Sequence, residues 1–114
     1  MLERGGIYLA KLYPSKGAEP GKTRPVLVLQ DDALNEVGHE TVIILPLITN
    51  LIDDAFPLRM RILKRDLLKE DSDVLCDQVR AIDTKRVIQD KLAVVNKNEL
   101  YEIEQMVQLI LGIS

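Results

Sequence analysis

Thr23-Arg24-Pro25-Val26-Leu27-Val28-Leu29-Gln30 is the stretch from which the fold is read. Residues 26–29 are continuously apolar, with no polar face, which marks a strand covered on both sides. Pro25 has no amide hydrogen and suits the first residue of such a strand. It also pushes Arg24 away from helical backbone toward an extended one. Arg24 therefore stands where an exposed loop enters the core. Rigid structure holds it from below while its guanidinium still faces solvent, a position suited to an anion.

On the N-terminal side, Gly5-Gly6 open a strand over residues 7–12. Ile7, Leu9 and Lys11 share one face of it, and Tyr8, Ala10 and Leu12 share the other. Residues 13–22 are rich in Pro, Gly and Lys and lack periodicity, so they read as a long loop, and loops of that length are often binding elements. On the C-terminal side, residues 31–40 form a polar loop. Residues 41–48 are a second apolar, β-branched run, ended by Thr49-Asn50. Pro46 within it implies a sheet edge or a bulge.

Asp53-Asp54 mark a turn. Phe56, Leu58, Met60 and Ile62 then alternate with Pro57, Arg59, Arg61 and Leu63, the pattern of a half-buried strand. The charged residues 64–73 leave room for a short helical turn around Leu67-Leu68. Val74-Leu75-Cys76 start a further strand that runs on through Asp77-Gln78-Val79-Arg80-Ala81-Ile82. Asp83 caps a one-turn helix over residues 84–86, and residues 92–95 are a last short strand.

The period then changes. Leu100, Ile103, Val107, Ile110 and Leu111 fall on one helical stripe, with Met106 beside it. Asn96 and Glu99 form a capping pair, and Gly112 is where the helix stops. The fold class is mainly β with α: a small curled antiparallel sheet or partly open barrel, with an amphipathic C-terminal helix packed on it.

The bulk numbers narrow the function. With 114 residues, the chain reads as a single domain, 1–114. No apolar run approaches the roughly 20 residues of a membrane span, and Met1-Leu2-Glu3-Arg4 is no signal segment, so a cytoplasmic location is expected. One cysteine, Cys76, and one histidine, His39, argue against a disulfide or a self-contained metal centre. The net charge of -3 argues against bulk binding of duplex nucleic acid. Lys11, Lys16, Lys22 and Arg24 nonetheless form one basic patch, and Arg59, Arg61, Lys64 and Arg65 another. Such patches suit a short anionic ligand.

Three blocks resemble a known family. They are Arg4-Gly5-Gly6-Ile7-Tyr8 followed by Pro14, Gly17, Glu19 and Lys22-Thr23-Arg24-Pro25-Val26-Leu27-Val28; the strand over 41–49 ending in Thr49; and Asp77-Gln78-Val79-Arg80-Ala81-Ile82-Asp83. In this order they resemble the MazF/PemK-type toxins over nearly the whole chain. The resemblance implies an SH3-like barrel, a homodimer, and a sequence-specific endoribonuclease that cuts single-stranded RNA, mostly mRNA, without a metal or other cofactor. It also implies a cognate, MazE-like antitoxin that occupies the RNA groove.

The resemblance implies catalytic roles for Arg24, Thr49 and Asp77. A guanidinium, which stays protonated in proteins, is better suited to a fixed charge on the crowded phosphorus than to proton transfer. The Thr49 hydroxyl can donate to a phosphate oxygen, although a strand-end threonine bonded to its own backbone is the plainer reading of that residue by itself. Asp77 fits either the general base or a partner that orients Arg24. The general acid is unassigned, because residues 13–22 lack the histidine that some members carry there. Lys16, Lys22, Asn50 and Gln78 are the candidate RNA contacts, with Gln78 equally suited to a structural role, and residues 13–22 and 50–55 the candidate base readers. A non-catalytic alternative, relatives that poison DNA gyrase, works through a C-terminal tryptophan. This chain has none and ends Leu111-Gly112-Ile113-Ser114. A member that only binds RNA is the other alternative.

Overall fold

The computed structural model describes residues 1–12, 17 and 22–113. Seven strands, β1 (Gly6–Lys11), β2 (Thr23–Val28), β3 (Thr41–Ile48), β4 (Arg59–Ile62), β5 (Ser72–Leu75), β6 (Arg80–Asp83) and β7 (Ala93–Val94), are joined by a short helix α1 (Asp32–Glu36) and followed by α2 (Lys97–Leu111). The strands pair antiparallel in the order β4-β5-β3-β2-β1-β7, with β6 also on β3. This is the small curled sheet with a C-terminal helix that the pattern predicts.

β2 lies between β1 and β3, and its side chains alternate between two cores. Leu27 joins Ile7, Leu45, Leu47 and Val74 beneath Ile103, Met106 and Val107 of α2. Val26 and Val28 join Tyr8, Ala10, Leu12, Val42, Ile44 and Ile82 on the other face. Both faces are therefore covered, as the unbroken apolar run requires. α2 carries the expected capping box at Asn96 and Glu99 and ends at Gly112 with φ +74°. Leu111, by contrast, is exposed and adds nothing to the buried stripe.

The two prolines are better placed than their sequence positions suggest. Pro25 is the third residue of β2, not the first. The Val28 carbonyl accepts the Gly5 N–H from the β1 side. Backbone groups alternate sides along a strand, so the missing donor of Pro25 faces β3, whose pairing with β2 begins only at Val26.

Pro46 sits inside the sheet rather than on its edge. The Ile43 carbonyl accepts Leu29 and Gln30 N–H groups from the β2 side, so position 46 faces the opposite flank. On that flank β3 pairs with β6 over residues 41–44 and with β5 at Leu47 and Ile48. Between the pairs Ile44↔Arg80 and Leu47↔Val74, residues 45–46 of β3 face residues 75–79 of the neighbouring strand. The neighbour loops out where Pro46 has no hydrogen to give. The single strand expected through residues 74–82 is therefore two strands with a turn at Cys76 and Asp77.

Three smaller expectations also change. The strand over 56–63 is only Arg59–Ile62, because β5, its one partner, is four residues long; Phe56 (68% exposed) and Leu58 lie outside it. Residues 65–68 close a tight bridged turn rather than a helical one. The polar loop over 31–40 contains α1, capped by Asp31. Its Asn35 is buried and hydrogen-bonded to Gln30. Asp83 caps the one-turn helix over Thr84–Arg86 as expected.

Candidate nucleic-acid interface

Cross-strand partners share a sheet face. The pairs Ala10↔Arg24, Val26↔Pro46, Ile48↔Asp73, Arg61↔Asp73 and Arg59↔Leu75 therefore put Arg24, Ile48, Asp73, Leu75, Arg59 and Arg61 on the face opposite α2. Part of that face is closed by the second core. The rest is an open cleft of about 720 Å³.

Arg24, Thr49, Asn50, Asp77 and Gln78 all line this cleft, with Ile48, Ile52, Ala55, Leu58, Arg59 and Leu75. Each arrives for a local reason. Arg24 is held by the β1–β2 ladder just before β3 joins. Thr49 and Asn50 follow the last paired residue of β3. Asp77 and Gln78 are delivered by the loop-out opposite Pro46. Asp77 is thus exposed on a turn and not embedded in a strand; Gln78 and Arg24 are half-buried. Lys22 is exposed and does not line the cleft. Lys16 lies outside the described residues.

The Cys76 thiol is pushed up to about 12, mainly by burial and then by the Asp77 charge. Its sulfur lies 3.8 Å from the Met106 sulfur, so it serves packing. His39 is exposed. No group of three or more His, Cys, Asp or Glu side chains suited to a metal occurs among the described residues. No helix among them is long and apolar enough to cross a membrane.

Sequence reasoning missed a charge cluster beside the cleft. Asp73, 1% exposed, accepts from Arg61 Nε at 2.7 Å, the Ile52 N–H at 2.9 Å and Arg59 Nη1 at 3.1 Å. Burial pushes its carboxyl up, but these donors outweigh it and hold the group below its ordinary range. A usable signal was present: two arginines spaced by two on one strand face call for an acid on the next strand.

Fold and cleft together define a small curled β protein with an open cleft on the sheet face opposite α2. The chain matches a family model described as PemK-like, MazF-like toxin of type II toxin-antitoxin system over residues 3–111. It is 34% identical over 116 residues to Endoribonuclease MazF of Staphylococcus epidermidis, covering 100% of this chain and 94% of that protein. Its structure resembles MazF from Deinococcus radiodurans with a TM-score of 0.81 at 25% identity, covering 98% and 97% of the two chains. A MazE–MazF structure from the same organism matches with a TM-score of 0.76 at 25% identity, covering 99% and 98%. The chain belongs to the PemK-like, MazF-like toxin family of type II toxin–antitoxin systems.

Proposed function

We propose that this chain is an RNA-cleaving toxin: a metal-independent, sequence-specific endoribonuclease acting on single-stranded RNA, chiefly mRNA. One observation carries the reading beyond family membership. Arg24, Thr49, Asp77 and Gln78, named from three separate sequence blocks, line a single open cleft together with Asn50 of the loop after Thr49. The protein acts in the cytoplasm as a single-domain homodimer, and a cognate, MazE-like antitoxin silences it by covering the cleft.

The nucleophile is the substrate's own 2′-hydroxyl, so the protein's task is to position the chain, accept a proton and stabilise charge. The 2′-oxygen attacks phosphorus, the bond to the 5′-oxygen breaks as solvent water protonates that oxygen, and a 2′,3′-cyclic phosphate remains on the upstream fragment. Arg24 supplies a fixed charge to the crowded phosphorus, and its planar fork matches two phosphate oxygens. The Thr49 hydroxyl donates to a phosphate oxygen. Asp77 accepts the 2′-hydroxyl proton. Asn50, Gln78, Lys22 and Lys16 hold the flanking nucleotides.

The test is incubation of purified protein with a mixed-sequence RNA in the presence of EDTA. Cleavage at a short preferred sequence is expected, and Arg24→Ala lowers its rate by about 10² to 10³. RNA retained but not cut would instead make this a binding member. Intact RNA together with blocked DNA supercoiling would make it a gyrase poison.

A further inference from the structure

We propose that Arg59 is a second guanidinium contact for the RNA backbone and that Asp73 is the positioning residue that aims it. The inference rests on the reading of the cleft as an RNA site.

Arg59 lines the cleft together with Arg24, its side chain 17% exposed. A guanidinium has five donors in a rigid fork. Both hydrogen bonds that Arg59 makes among the described residues leave from Nη1, one to the Asn50 carbonyl oxygen at 2.8 Å and one to Asp73 at 3.1 Å. Its Nε–Nη2 edge is uncommitted among those residues, and such an edge grips a phosphate through two parallel bonds.

Arg61, two residues on, shows the contrast. It pairs with Asp73 at 2.7 Å and with Asp53 at 3.0 Å, and it does not line the cleft. One of the two strand arginines is spent on carboxylates; the other keeps an edge for a ligand.

Asp73 does more than pair charges. Through Arg59 and the Ile52 N–H it ties β4 to the segment after β3, so Asn50, Ile52 and Arg59 share one anchor. A buried ion pair is a poor way to gain stability, because desolvation offsets most of the attraction. The same cluster is an effective way to hold a guanidinium and a loop in one geometry beside a reacting phosphate.

The test compares wild type, Arg59→Gln, Arg59→Lys, Asp73→Asn and the Asp73→Asn/Arg59→Gln double variant. The substrate is an RNA oligomer carrying the cleavage site mapped on wild type. Binding is read as a function of salt with its uncleavable 2′-O-methyl copy. Arg59→Gln should raise KM roughly ten-fold with kcat little changed, and lower the salt slope by about 0.7, the value of one single-strand phosphate contact. Arg59→Lys should restore the slope without fully restoring KM, since it keeps the charge and loses the fork.

Asp73→Asn should reproduce the KM rise well below its melting temperature, and the double variant should be no worse than it. An Arg59→Gln variant with wild-type KM and slope, or an Asp73→Asn variant changed only in melting, would overturn the inference. The nuclease reading would survive either result as long as Arg24→Ala keeps its loss of about 10²- to 10³-fold in rate. If Asp73→Asn fails to fold, the Arg59 pair decides. A wild-type protein that cuts no RNA would sink the nuclease reading and this inference with it.

Discussion

The two halves of the sheet face opposite α2 share strands β2 and β3 and differ in everything else. In one half, Tyr8, Val26, Val28, Val42 and Ile44 pack with Leu2, Ile82 and Val87 into a closed core. In the other, the same strands run on to Arg24, Thr49 and Asn50 around open space. The change falls where β6 stops pairing with β3 and the chain loops out opposite Pro46. The lesson is economical: the sheet is made rigid where it is covered, and the candidate site residues stand beyond the cover, Arg24 two residues before Val26 and Thr49 just past the end of β3. They inherit its stiffness without its burial.

The comparison breaks most readily in the sealed half. Tyr8 is fully buried, and its hydroxyl accepts the Glu3 N–H at 3.0 Å. Tyr8→Ala should cost about 3–5 kcal/mol of stability in urea unfolding. Arg24→Ala, on the same face, should cost clearly less stability than Tyr8→Ala while lowering the cleavage rate by about 10² to 10³. Equal stability losses at the two positions would erase the distinction between the halves.

Asp77→Asn sharpens it. Its exposed turn position suits a group that exchanges protons with substrate and solvent. The variant should lose about 10²-fold in kcat with KM little changed. A rise in KM with kcat unchanged would make Asp77 a binding contact instead.

How much of this was legible in the sequence follows from where each signal sits. The fold was legible because its cues are local: the unbroken apolar run over 26–29, the Asn96/Glu99 cap, the helical stripe through Ile103 and Val107. The cleft membership of Arg24, Thr49, Asn50, Asp77 and Gln78 was legible through motif order. The turn at Asp77 was not, because residues 74–82 contain neither Gly nor Pro to punctuate them. Its cause is Pro46, distant in sequence and adjacent in space. α1 was missed because a five-residue helix is too short to show a period. Asp73 was missed because an acid inside a charged segment reads as solvated, and only the β4–β5 register reveals the two arginines across from it.

The smallest effect lies on the far side of the sheet, where charge supports structure and nothing else. Arg65 grips Glu99 with two parallel bonds, at 2.6 and 2.8 Å, joining the turn after β4 to the first turn of α2. The Arg65 guanidinium is the main reason the Glu99 carboxyl lies below its ordinary value of 4.5; burial opposes it and the Asn96 N–H assists. A carboxyl depressed in the folded state stabilises the fold above its ordinary value and loses that contribution as pH falls through the lower, folded value. Arg65→Gln should therefore cost about 0.5–1 kcal/mol near neutral pH. The gap from wild type should close in more acidic solution, once Glu99 is protonated in both folded proteins. Urea unfolding of the two proteins at neutral and at strongly acid pH measures this directly. A gap that persists in acid would mean that Arg65 contributes by packing its stem against the helix rather than by charge.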